Sequence, residues 1–292
     1  MPSARRSSKK FSVLVTLLVL VCLSLIIWHT HTTNDPQKVF MQSIQRNMAD
    51  EGVTCTVTET TDSSTTTQKI SLDLISKANA HVTSTIKHQT TSVATEEITT
   101  KTGDYVRYTA ISAPSSASGQ KLNLSKVLNV WSKTNTSNIQ SVSLFGRTAL
   151  GNCVVPLVHL NHGQIEKLMS QVQQGKIFQT NYSTVKRQKL ADKPVFVYDV
   201  TIQPQPYIGF MKQVAASYGL KDLEGVDTAI YAKQAPEKLR FYIDPRSSRL
   251  QQIQYTSALH SVSFSDYGRA PRITVPTKTI SALELQQRLQ MQ

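Results

Sequence analysis

Hydrophobic residues fall into three patterns along this chain, and the first is an unbroken run. Phe11 to Trp28 carries no charge, and only Thr16 and two serines interrupt its aliphatic residues. At 1.5 Å per residue such a helix is about 27 Å long, close to the roughly 30 Å hydrocarbon thickness of a bilayer. Arg5, Arg6, Lys9 and Lys10 cluster on its N-terminal side, and no acidic residue precedes Asp35. The positive-inside rule then makes residues 1–10 a cytoplasmic basic tail, 11–28 a transmembrane signal anchor and 29–36 a linker to an extracytoplasmic domain. A cleavable signal peptide has a shorter apolar core and a small-residue cleavage site, whereas this run ends in Ile26-Ile27-Trp28-His29. Cys22 follows Leu20-Val21 and is a poor lipidation site. A retained anchor is the expectation, with a cleaved or lipidated form as the alternative.

The second pattern has helical spacing. Phe40, Ile44 and Met48 recur every four residues behind the start signal Asn34-Asp35-Pro36, which predicts a helix over 36–51 ended by Gly52. Asn161 can cap a helix over 162–174 with Ile165, Leu168, Met169 and Val172 on one face. Pro204-Gln205-Pro206 starts a third, 207–218, with Ile208, Met211, Val214 and Ala215 on one face and Gly219 at its end. Ser281 and Glu284 form a capping box for a C-terminal helix. Leu124 to Trp131 reads as one more short helix.

The third pattern is alternation. From Val53 to Ile111 threonine, serine, valine and isoleucine dominate, proline is absent, and turn residues separate about five strand-like stretches. Ile177–Val185, Val195–Ile202, Lys238–Ile243, Leu250–Tyr255, Ala258–Phe264 and Arg272–Val275 read as further strands. Strands and helices do not alternate strictly, so the predicted class is α+β: a large antiparallel sheet with one face covered by the amphipathic helices.

Composition changes this picture little. The net charge is +13, from 32 basic and 19 acidic residues. Four of the basic residues belong to the N-terminal cluster, and the remaining surplus of nine carries no basic run with interleaved aromatics. Nucleic acid is therefore not an expected partner, and a diffuse basic surface facing an anionic envelope is. Cys55 and Cys153 are the cysteines outside the anchor. An oxidising compartment favours a disulfide between them, with two buried thiols as the alternative. His159 and His162 have the spacing of a metal pair but lack further ligands nearby, so no metal and no cofactor is expected. Glu96-Glu97 would point to opposite faces of a strand and cannot form a catalytic dyad. With no hydrolase, phosphate-loop or dinucleotide motif, an enzyme is not expected.

Leu239-Arg240-Phe241-Tyr242-Ile243-Asp244-Pro245, the hairpin to Leu250, Val262-Ser263-Phe264-Ser265-Asp266-Tyr267-Gly268, and Ile273 with Pro276 resemble the end of LppX/LprG-type bacterial lipoproteins and their LolA-like relatives. The resemblance runs over residues 37–276, with 277–292 as an appended helix. It implies a curved, half-open antiparallel barrel wrapped around helices, holding acyl chains between the two layers. Two departures are a membrane helix in place of the lipid-anchoring cysteine, and the Cys55–Cys153 pair. The implied function is a membrane-anchored module that binds a lipid or acylated molecule, for local hand-off or sensing. A structural or protein-interaction domain with a filled core is the alternative. Ile208, Met211 and Val214 are the candidate cavity walls, with Tyr105 and Tyr108 as weaker candidates.

If the anchor is retained, intact-mass analysis of the membrane-extracted protein will find Phe11–Trp28 present. A mature N-terminus between about residues 22 and 35 would replace the anchor with a cleaved or lipidated form.

Overall fold

The computed structural model describes residues 35–76, 79–100, 103–112, 124–134, 144–151, 153–174, 177–221 and 223–290. The tail, 1–10, and the predicted anchor, 11–28, lie outside these residues, and no described helix is long and apolar enough to cross a membrane. The architecture is α+β. Among the described residues, 13 strands form one open, mostly antiparallel sheet, accompanied by four helices, α1 (Pro36–Asn47), α2 (His162–Gln174), α3 (Pro204–Tyr218) and α4 (Ala282–Gln290).

Two meanders make up the sheet. The first contains β1 (Gly52–Thr60), β2 (Ser64–Asp73), β3 (Asn79–His88), β4 (Thr91–Thr100) and β5 (Gly103–Ser112). After β6 (Ser132–Thr134), β7 (Phe178–Thr180) and β8 (Lys186–Leu190), the second contains β9 (Lys193–Ile202), β10 (Glu237–Asp244), β11 (Arg249–Tyr255) and β12 (Leu259–Ser265). β1 and β12 pair antiparallel from Thr54–Ser265 to Thr60–Leu259 and fuse the two. At one edge, β13 (Ile280–Ser281) runs parallel to β6. At the other, β7 and β8 share β9, pairing with its end and its start respectively.

Alternation decides which face is covered. Val53, Cys55, Ile70, Leu72, Ala80, Phe241, Ile243, Leu250, Ile253 and Val262 are buried on one face, where α1, α2 and α3 supply Phe40, Ile44, Leu168, Phe210 and Val214. Phe40 is the hub: its ring centroid lies 5.1 Å from that of Tyr198 and 5.9 Å from that of Phe241. Aromatic pairs at this spacing contribute about 0.5–1.5 kcal/mol beyond area burial.

Several element limits differ from the sequence expectation. α1 ends at Asn47 and not at residue 51, because Gly52 opens β1. The chain has to turn early there: buried Asp50 pairs with Arg249, and the backbone at Arg269–Ala270 crosses Gly52 so closely that a β-carbon would sit 2.5 Å from the Arg269 carbonyl oxygen. Leu124–Trp131 is only a 3-10 turn, Leu124–Lys126, running into β6. The strand expected over 177–185 breaks after Thr180, where the Asn181 side chain accepts a hydrogen bond from the Ser183 amide at 3.1 Å and caps a 3-10 turn, Tyr182–Thr184. Arg272–Val275, between Pro271 and Pro276, forms no strand, and pairing resumes only at β13.

On the opposite face of β3–β5 sits an ion cluster. His81 Nε2 lies 2.8 Å from Glu96 Oε1, Arg107 Nε donates to Glu96 Oε2 at 2.7 Å, and the Arg107 guanidinium stacks 4.7 Å over the Trp131 ring. Burial raises the Glu96 carboxyl, but the hydrogen bonds from Arg107 and His81 outweigh it and hold the group below its ordinary value. A depressed carboxyl contributes stability above its unfolded pKa and loses it as pH falls through the folded one. Glu96→Gln is therefore expected to cost about 1–2 kcal/mol at pH 7. The difference shrinks below about pH 4.3 and vanishes in stronger acid, which urea titrations at pH 7 and pH 3 will check.

Candidate functional site

At the end of the sheet where β9 stops and β10 starts, the layers part. Pro204 ends the ladder of β9 because it has no amide hydrogen to donate, and its fixed φ suits the first turn of a helix. The first two turns of α3 consequently lean over the ends of β9, β10 and β11 and leave a cavity of about 280 Å³. Its walls include Ile202, Tyr207, Ile208, Leu239 and Tyr255, with Val154 and Tyr231 closing it from loops. Glu237 stands at the rim and accepts a hydrogen bond from the Ser257 hydroxyl at 2.9 Å.

Glu237 is the one carboxylate among the residues that line the cavity. The Tyr207 hydroxyl donates to the Val154 carbonyl at 3.0 Å, and burial, with the neighbouring Tyr255 and Cys153, pushes its pKa up. Tyr255 is likewise pushed up to about 12, by burial and then by Glu237. Both phenols therefore stay neutral at physiological pH, serving as apolar walls with one polar tip each.

Of the candidate wall residues, Ile208 lines this cavity. Met211 and Val214 lie one and two turns further along α3 and are 2% and 0% exposed, inside the packed core. Tyr105 and Tyr108 are not brought to it, since β5 lies eight strands from β9 in the sheet. Tyr105 faces away from the helices, paired with Ile98 and with Lys133 Nζ 5.6 Å from its ring centre. Tyr207, Tyr231 and Tyr255 were not apparent as site residues. A tyrosine directly behind Pro206 and another at the last position of a strand are the sequence signals that mark them.

Two open grooves flank α2. One of about 600 Å³ runs between α1, α2 and β7, over Met41, Phe178 and Tyr182. The other, of about 420 Å³, lies between α2 and α3. Three glutamines line each of them, beside apolar side chains.

The histidines with metal-pair spacing diverge. His159 Nδ1 lies 3.2 Å from the carbonyl oxygens of both Ala49 and Asp50, while exposed His162 pairs with Glu166 within α2 at 3.1 Å. No group of three metal-ligating side chains occurs among the described residues. No protein-family profile and no curated protein matches this sequence.

Directly behind Val154, Cys153 meets Cys55 of β1. Both side chains are fully buried and present as thiols, with Cys153 Sγ donating to Cys55 Sγ at 3.3 Å. That hydrogen bond and burial push the Cys153 thiol well above its ordinary value, so it is no nucleophile at neutral pH. The fold thus brings together the two residues expected to pair, in reduced form. In an oxidising compartment they are expected to join, raising stability by about 4–5 kcal/mol through closure of a loop of 98 residues. Non-reducing peptide mapping, with melts run with and without reductant, tests this. Quantitative alkylation of both thiols after denaturation without reductant would rule the bridge out.

Proposed function

We propose that this chain is a membrane-anchored, extracytoplasmic binding module with the half-open barrel of LolA-like proteins, and that it takes the end of an acyl chain, from a lipid or a lipoprotein, under α3. The observation that carries this reading is the cavity of about 280 Å³ beside Ile208, where Ile202, Tyr207, Leu239 and Tyr255 supply an apolar wall and Gln234 and Glu237 a polar one. Small-molecule sites span about 300–1,000 Å³, so this one suits part of one chain and not a whole lipid. Each buried methylene contributes about 0.8 kcal/mol without any catalytic group. Retention by the anchor fits local hand-off or sensing better than transport over distance.

A protein-interaction domain is the second reading, and one observation favours it. Phe210, Met211, Val214 and Tyr218 leave almost nothing of themselves exposed, so most of the space between sheet and helices is already filled.

Two substitutions on α3 separate the readings. Ile208→Trp is expected to fill the cavity and abolish lipid occupancy in native mass spectrometry of the detergent-solubilised full chain, with a melting temperature close to the parent's. Met211→Trp is expected to overpack the core and destabilise by about 1–3 kcal/mol. Parent protein that never carries lipid, even after incubation with it, would leave the interaction-domain reading standing.

A further inference from the structure

The hairpin of β8 and β9 is strongly basic. Lys186, Arg187, Lys189 and Lys193 are all exposed, against two acidic residues, Asp192 in its turn and Asp199, which pairs with Arg240. In the antiparallel register Arg187 stands opposite Phe196 and Lys189 opposite Pro194, whereas Lys186 stands opposite Val197. Cross-strand partners share a face, so the positive charges surround the hairpin from both sides. Arg187 lies 5.1 Å over the Phe196 ring. The outer edge of β8 pairs with no other strand among the described residues. Lysines on such an edge discourage pairing with another sheet, but that role does not account for where this hairpin sits.

Its location is tied to the point at which the chain enters the domain. Tyr198, two residues beyond Phe196 on β9, donates its hydroxyl to the Pro36 carbonyl at 2.9 Å. The described chain therefore starts, at Asp35–Pro36, beside β9, on the face that also carries Arg187 and Lys189. Exposed Lys38 follows in the first turn of α1. From Trp28 to Asp35 the chain spans at most about 25 Å, and from Tyr198 to Lys193 the strand runs about 17 Å. A bilayer holding residues 11–28 is consequently within reach of the hairpin, and the potential of an anionic surface extends about 8 Å at physiological salt.

We propose that the β8–β9 hairpin is a second, electrostatic membrane contact, docking on anionic phospholipid headgroups of the bilayer that holds the anchor. This rests on the anchored reading above and adds to it an orientation: the β7–β8 edge of the sheet faces the lipid. Juxtamembrane lysine and arginine clusters bind anionic surfaces in this way, with a strength that adds up over the residues and falls with salt.

The test is lysine footprinting of the full chain in nanodiscs made of phosphatidylcholine alone or with about one-third phosphatidylglycerol. Lys69 and Lys87, exposed on β2 and β3, serve as internal references. Acylation of Lys186, Lys189 and Lys193 is expected to slow about threefold or more in the anionic discs and to recover in 0.5 M NaCl, while the references stay constant. In the double variant Arg187→Glu, Lys189→Glu, labelling of Lys186 and Lys193 is expected to lose its lipid dependence. Equal labelling in both lipids by disc-bound protein overturns the hairpin contact alone. Protein that fails to co-purify with discs overturns the anchored reading and this contact with it.

Discussion

The pairing of β1 with β12 joins segments about 200 residues apart, Thr54 opposite Ser265 and Cys55 opposite Phe264. The other pairings within the two meanders close through short turns, apart from β9 with β10, which α3 and the following 3-10 turn connect. Only this long-range ladder converts two half-sheets into one continuous surface. It sets Val57 opposite Val262 on the face that the helices cover. A slip of one residue would turn Cys55 away from Cys153 and put threonines against the core, so the hydrophobic alternation of both strands holds the register. Loop closure over such a separation is entropically costly, and the ordered contacts that α1 makes with the second meander help to offset it.

Those contacts run through aromatic side chains with polar tips. Tyr198 donates to Pro36 at the start of α1, Tyr218 at the end of α3 donates to Leu74 beyond β2 at 2.6 Å, and Tyr267 donates to Leu250 at 2.6 Å. Each ring buries its apolar body in the core, while its hydroxyl satisfies a carbonyl that would otherwise be buried alone. The tyrosines thus fix where helices sit along the strands, a placement that non-directional packing alone would leave free to slide.

Much of the fold was legible in the sequence because it rests on local rules. The spacing of Phe40 and Ile44, the cap at Asn161 and the turn at Asp266–Gly268 all act within a few residues, and so did the meander's alternation. The misread limits arose where a distant segment intervenes. Gly52 looks like a helix terminator, yet it serves the close crossing of Arg269–Ala270. Asn181 caps a 3-10 turn inside what reads as one strand. The site was legible only at Ile208. Met211 and Val214 share its helical face, but which part of that face meets packed side chains and which meets a void depends on Tyr231, Leu239 and Tyr255, contributed from three other places in the chain. Sequence periodicity identifies an apolar face and carries no information on whether the opposing layer fills it.

The distribution of packing along α3 bears on how such a module would work. Its C-terminal half is fixed by Phe210, Val214 and Tyr218, with Gly219 in the left-handed conformation ending it. Its N-terminal half, starting at two prolines, meets the sheet across the cavity. A helix held firmly at one end and loosely at the other can pivot about the firm end. An incoming chain would then displace only the Pro204–Ile208 turn and leave the core intact. The Cys55–Cys153 contact lies against this same turn, through Val154 and the Tyr207 hydroxyl. Locking those cysteines would hold the far wall of the cavity still while α3 moves, so the cavity would open by displacement of the helix and not by loss of the loop beneath it.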